Sequence, residues 1–208
     1  MRLIPEEIYH IYNRGNNHQK IFFNNENYLR FLKKVRKEWK PYCEILCWCL
    51  IPNHFHFMLK ATSISCEEIP AYGGKPMELL ARKIGLCLSS YSQYINHQNK
   101  TTGSLFQQKT KAKCISDSKL LLPFSRMRVS SANYVISCMH YIHQNPWKAG
   151  LVNKMEEWIY SSFAEYGGLR NGSMCNQSLL FQITDYNKES FYKDSYDIID
   201  DEFLKGIW

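Results

Sequence analysis

Residues 44–60 read EILCWCLIPNHFHFMLK, and this stretch decides the fold. Residues 44–51 are dense in apolar and β-favouring side chains, Pro52-Asn53 interrupts them, and residues 54–60 resume an extended pattern. Two strands joined by so tight a connection predict an antiparallel hairpin. On the second strand successive side chains point to opposite faces. His54, His56, Met58 and Lys60 therefore share one face, and Phe55, Phe57 and Leu59 form a core-facing row on the other. The two imidazoles stand about 7 Å apart along the strand. At that spacing they can converge on one metal ion. The pattern equally describes two unrelated strand histidines, half exposed or hydrogen-bonded.

Outward from the hairpin, residues 8–13 read as a strand ending at the turn signal Arg14-Gly15-Asn16-Asn17. Residues 25–40 have helical periodicity in Tyr28, Phe31, Leu32, Val35 and Trp39. Residues 61–74 read as a loop, and 76–96 as a helix with Leu79, Leu80, Ile84, Leu88, Tyr91 and Ile95 on one stripe. A strand is expected within 105–115, with Lys109, Lys111 and Lys113 alternating to one side, whereas 117–129 gives no clear pattern. Residues 130–144 predict a helix that stops at Asn145-Pro146, because proline disfavours α geometry in the residue before it. A short helix is expected within 158–166, a linker over 170–190, and helix in the tail. The order β-α-β-β-α-β plus a further helix predicts an α+β, ferredoxin-like split βαβ fold with an antiparallel sheet. The expected division is a domain over 1–168 and a partly helical, acidic C-terminal extension over 169–208. The fold by itself implies no chemistry.

With 208 residues, 45% hydrophobic and 22% charged, the composition is that of a globular domain with a sizeable core. No apolar run is long enough for a bilayer span, and MRLIPEEIYH contains no apolar segment of the signal-peptide kind, so no membrane association and a cytoplasmic location are expected. None of the eight cysteines forms a CxxC pair, which argues for reduced thiols over a zinc ribbon. The net charge of +7 is unevenly spread: residues 185–208 carry seven acids against three lysines, so the body is more basic than the total suggests. A basic body suits a polyanionic partner. The acidic tail reads as a solvated end, the other possibility being a mimic of that partner.

A second constellation is Tyr141-Ile142-His143-Gln144-Asn145-Pro146. Tyr141 and Asn145, four residues apart, share a helix face. There they can serve as nucleophile and ligand, or as a packed tyrosine and a helix stop. Arg14, Lys109, Lys111, Lys113, Arg126 and Arg128 are candidate phosphate contacts, and a lysine row can also be a solvated sheet edge. Tyr12, Tyr91, Tyr94 and Tyr134 are rival nucleophiles, Tyr134 foremost; His10, His140 and His143 read as structural, with proton transfer as the other possibility. Trp147 and Phe106 are candidates for base stacking or for the core.

Taken together the motifs resemble the REP-associated tyrosine transposases, a family of HUH endonucleases. Tyr9–Gly15 (YHIYNRG) is similar to their opening strand, and Cys49–His56 (CLIPNHFH) to their His-hydrophobic-His hairpin. Gly103–Gln107 (GSLFQ), Tyr141 through Pro146 to Gly150-Leu151, and Trp158 with Tyr160-Ser161-Ser162 follow in the family's order, with Lys109 where the family has arginine. The resemblance spans roughly residues 8–166. It implies that His54, His56 and Asn145 bind a divalent metal, Mg²⁺ or Mn²⁺, and that Tyr141 attacks single-stranded or hairpin DNA to give a covalent 5′-phosphotyrosine. A monomer or a homodimer is compatible with it. The other reading is a non-catalytic, domesticated protein that binds nucleic-acid hairpins.

Overall fold

The computed structural model describes residues 2–70, 74–116, 131–197 and 199. Four strands form one antiparallel sheet in the order β2-β3-β1-β6: β1 is Ile8–Arg14, β2 Cys43–Ile51, β3 His54–Ala61 and β6 Lys111–Cys114. Two-residue strands β4 (Glu68–Ile69) and β5 (Met77–Glu78) pair separately. Helices α1 (Asn25–Glu38) and α2 (Leu79–Asn99) cover one face of the main sheet. Helix α3 (Ser131–Lys148), with α4 (Phe163–Tyr166), α5 (Gln177–Thr184) and α6 (Phe191–Asp194), covers the other. No helix among the described residues is long and apolar enough to cross a membrane.

The alternation on β3 explains both layers. Phe55, Phe57 and Leu59 are fully buried against Phe31, Trp39 and Tyr91 of α1, its C-terminal flank and α2. Met58, on the opposite side, packs beneath α3 with Cys138, Met139 and Ile142. The hairpin tip is held from outside: the Pro52 carbonyl accepts from the Ile21 and Phe22 amides, and the Asn53 carbonyl from the Gly15 amide at 2.8 Å. At Gly15 a Cβ would come within 2.2 Å of the Gln19 carbonyl oxygen, so only glycine permits this approach.

Three expectations need correction. Helix α3 does not stop at Asn145: it runs through Pro146 to Lys148. Packing of its Tyr141 face on the sheet outweighs the local cost of proline, and Gly150 at φ +66° closes the helix with bonds from Gly150 to the Trp147 carbonyl and from Leu151 to the Pro146 carbonyl. The strand within 105–115 covers only Lys111–Cys114, which leaves Lys109 outside it. The stretch expected as a linker over 170–190 contains α5, with Leu180 buried in the α3 layer; its apolar side chains find a hydrophobic surface that local composition does not reveal, and α6 follows in the tail, where helix is expected, with Phe191 buried in the same layer. The described part of the acidic tail also packs, since Gln144 Nε2 donates to the carbonyls of Ser195 and Asp197 at 2.8 Å each.

β2 is an edge strand, and an open edge invites pairing with other chains. Here it is covered. The Leu50 amide donates to the Tyr160 carbonyl, the Ser162 amide to the Trp48 carbonyl, and the Asn176 amide to the Ile45 carbonyl. Phe191→Ala removes a ring that is 1% exposed from the layer holding these segments together. The substitution is expected to lower stability by about 3 kcal/mol in urea denaturation, and a loss within about 0.5 kcal/mol would mean that the segment adds no core.

Candidate active site

β1, β3 and α3 bring seven polar side chains together. Cross-strand registry sets Arg14 opposite His54, Tyr12 opposite His56 and His10 opposite Met58. The His54 and His56 rings lie 4.8 Å apart, centre to centre, and the Tyr141 ring stands edge-on to His56 at 5.7 Å. The His54 Nε2 lies 3.3 Å from Asn145 Oδ1. The four residues singled out in the hairpin and on α3 thus occupy one place. His56, Tyr141 and Asn145 are buried there, with Tyr141 5% exposed, while His54 is half-buried at the mouth.

The hydrogen bonds orient these groups. Asn145 Nδ2 donates to the Tyr141 carbonyl at 2.8 Å, which turns Oδ1 toward His54. His54 Nδ1 lies 2.8 Å from Asn53 Oδ1, an atom that can only accept, so the ring proton sits on Nδ1 and Nε2 presents a lone pair. Burial pulls the His54 pKa down to about 4, against the Asn145 bond that raises it, and nearby Arg14 lowers it further. Burial, followed by the proximity of His54 and His10, holds His56 well below the usual histidine range. Both rings are therefore neutral at pH 7.

This donor set fits a divalent cation. Two lone-pair atoms facing each other at 3.3 Å repel unless a positive charge lies between them. The separation is close to the roughly 3 Å between neighbouring ligands of an octahedral ion with bonds of about 2.1 Å. Among the described residues no group of three or more His, Cys, Asp or Glu side chains is placed to hold a metal, so an ion held here would draw on the Asn145 amide besides the two histidines.

His10 belongs to this cluster, a role the sequence did not reveal. Its Nε2 lies 2.8 Å from His56 Nδ1, its ring stacks on Tyr12 at 4.7 Å, and it meets Tyr141 edge-on at 6.2 Å. Alternation along β1 would have put it beside His56 had the β1–β3 register been known. His140 and His143 turn the other way, to Ser195 Oγ and Ser162 Oγ. Tyr91 is core, donating to the Ile21 carbonyl, and Tyr94 donates to Glu26. Tyr134 is buried in the α3 layer, so of the rival phenols it is Tyr12 that adjoins the histidines.

Arg14, Lys109 and Lys111 border a cavity of about 190 Å³ that reaches Tyr12 and His54. Lys113 does not line it; it is half-buried toward Cys138, and burial lowers its pKa. Arg126 and Arg128 lie outside the described residues. Phe106 is in the core, whereas Trp147 is partly exposed beside Tyr196.

With this geometry in view, a solved structure described as the REP-associated tyrosine transposase bound to a REP hairpin is similar in fold: TM-score 0.54 and 14% identity, covering 85% of this chain and 94% of that one. At that identity the likeness establishes a shared fold of antiparallel sheet and helices. No protein-family model matches the chain, and no curated protein does.

The buried histidines give a pH signature. The folded-state pKa values of His54, His56, His140 and His143 lie below the unfolded value near 6.5, so between pH 6.5 and about 4 the unfolded chain binds more protons. Their contribution is intact above pH 6.5 and is lost as the pH falls toward 4. The urea midpoint is expected to fall between pH 7 and pH 5, and to fall less in His54→Gln/His56→Gln; equal slopes for the two proteins would contradict the assignment.

Proposed function

We propose that this chain is a metal-dependent endonuclease and strand-transferase of single-stranded DNA, with a ferredoxin-like fold of the HUH type and Tyr141 as its nucleophile. The observation that carries the reading is the meeting of His54, His56, Asn145 and the Tyr141 ring around one point, 3.3 Å between His54 Nε2 and Asn145 Oδ1 and 5.7 Å between the His56 and Tyr141 rings. The fold shared with a transposase bound to a DNA hairpin supports it.

Each side chain has a part in this reaction. Only about one in a thousand tyrosine hydroxyls is ionised at pH 7, so the phenol needs an electrophilic partner. A bound Mg²⁺ or Mn²⁺ would supply it by polarising the scissile phosphate and offsetting charge on the departing oxygen. His54, His56 and Asn145 would hold that ion, with coordination positions left for phosphate and water. The Tyr141 oxygen bonds to phosphorus as the P–O3′ bond breaks; the phenol loses its proton and the 3′ oxygen gains one. The products are a 5′-phosphotyrosine and a free 3′-OH. The new ester retains the energy of the phosphodiester, so another 3′-OH can reverse the step without ATP. Arg14, Lys109 and Lys111 hold neighbouring phosphates. Tyr141 must gain exposure for the strand to reach it.

That burial is the observation that favours a second reading, a non-catalytic hairpin-binding protein, which needs no accessible phenol. A labelled single strand with Mn²⁺ separates the two. The enzyme leaves an SDS-resistant adduct that mass spectrometry places on Tyr141, and Tyr141→Phe abolishes it; a strand retarded with no adduct supports the binder, and an adduct on Tyr12 or Tyr134 overturns the choice of nucleophile.

Ligation through His56 Nε2 requires its Nδ1–H to donate to His10, a bond that orients the ring as outer hydrogen bonds do at metal sites. His10→Ala is expected to weaken Mn²⁺ binding by about 10- to 100-fold in calorimetry. His10→Gln, which restores an acceptor, is expected to recover part of it, and unchanged affinity in His10→Ala would remove His10 from the site.

A further inference from the structure

Lys113 reads as a phosphate contact in the sequence, yet it does not border the cationic mouth. The register of β1 and β6 gives the reason. Tyr12 stands opposite Lys111, and His10 opposite Lys113. Directly opposed residues of an antiparallel pair point to the same face, with Cβ atoms about 5 Å apart. Tyr12 and Lys111 form an outer pair that lines the mouth, and His10 and Lys113 an inner pair about 7 Å further along the strands. Lys111 is exposed, and Lys113 is half-buried.

Two lines of geometry bring Lys113 toward the Tyr141 side chain. From the sheet, its cross-strand neighbour His10 meets the Tyr141 ring edge-on at 6.2 Å. From the helix, Lys113 approaches Cys138: burial raises the Cys138 thiol pKa, and the Lys113 ammonium is the group that opposes it. Cys138 precedes Tyr141 by three residues on α3 and shares its face. Long side chains on a helix lean back over the preceding turn, so Tyr141 covers the turn that Lys113 approaches. Among the described residues Lys113 makes no salt bridge and no hydrogen bond. Taking an ammonium partly out of water without a partner costs free energy, and an apolar side chain of similar length would avoid that cost. A perturbed, unpaired charge beside a reactive group is a pattern found at functional sites.

We infer that Lys113 is a positioning residue for Tyr141, its ammonium offsetting the negative charge that gathers on the phenol oxygen. The inference rests on the proposed tyrosine chemistry. The phenol oxygen carries charge twice in that cycle: as it loses its proton and bonds to phosphorus, and as its bond to phosphorus breaks when a 3′-OH rejoins the strand. Lys113 forms no bond and gives up no proton in either step. Tyr141 is buried, and a fixed charge acts more strongly where water is excluded. His54, His56 and Asn145 serve the phosphate side of the reaction through the ion they would hold, and Lys113 serves the tyrosine side.

The test follows the rate of adduct formation by the full chain with a saturating labelled single strand and Mn²⁺. Lys113→Met keeps the length of the side chain and removes its charge. It is expected to slow adduct formation by about 100-fold. Strand affinity in fluorescence anisotropy, Mn²⁺ affinity in calorimetry and the melting temperature are expected to stay at their wild-type values. Lys113→Arg, which returns the charge, is expected to recover most of the rate. A Lys113→Met rate equal to wild type, a Lys113→Arg rate no better than Lys113→Met, or a loss of strand or Mn²⁺ affinity in Lys113→Met overturns the inference while the tyrosine chemistry stands. No adduct with the wild-type chain overturns the proposed function itself, and the inference with it.

Discussion

Burying two imidazoles side by side beneath a helix is costly unless their ring nitrogens find partners, and around His54 and His56 each Nδ1 has one. β3 is covered on both faces, so the alternation that sends Phe55, Phe57 and Leu59 into one apolar layer sends His56 into the other. Asn53 and His10 supply them from the hairpin tip and β1, and Asn145 of α3 turns its Oδ1 toward His54 Nε2. Three separate stretches of chain therefore have to be in register before the cluster exists. The cluster in turn keeps the rings neutral and their lone pairs directed inward, the condition a cation requires.

Several short motifs that resemble a transposase family have structural work here. Trp158 Nε1 donates to the Leu50 carbonyl, Tyr160 stacks on Tyr28 at 3.7 Å, and residues 160–162 pair along the edge of β2. The Gly103–Gln107 segment continues alongside the end of β1, with Asn16 donating to the Leu105 carbonyl and Gln107 to the Arg14 carbonyl. Gly150-Leu151 closes α3 directly after the turn bearing Asn145. Each motif holds a backbone segment that the histidine cluster depends on.

Strand alternation and helical periodicity were sufficient to place the hairpin, α1, α2 and the shared face of Tyr141 and Asn145, because those patterns follow from local backbone geometry. What escaped the sequence depends on contacts between distant segments. His10 became part of the cluster only through the β1–β3 register. Pro146 appeared to end α3 because its local cost is visible in sequence while the compensating packing is not. The segment around Leu180 reads as a linker because its few apolar residues show no long period, yet Leu180 buries against α3.

The central claim is that two imidazoles and an amide form one cation site. Pulsed electron paramagnetic resonance of Mn²⁺ bound to the full chain tests it most directly, since imidazole nitrogens on the metal give resolved couplings. Couplings from two histidine nitrogens are expected, reduced to one in His54→Ala. A spectrum of Mn²⁺ surrounded by water alone, or one unchanged by that substitution, would contradict it.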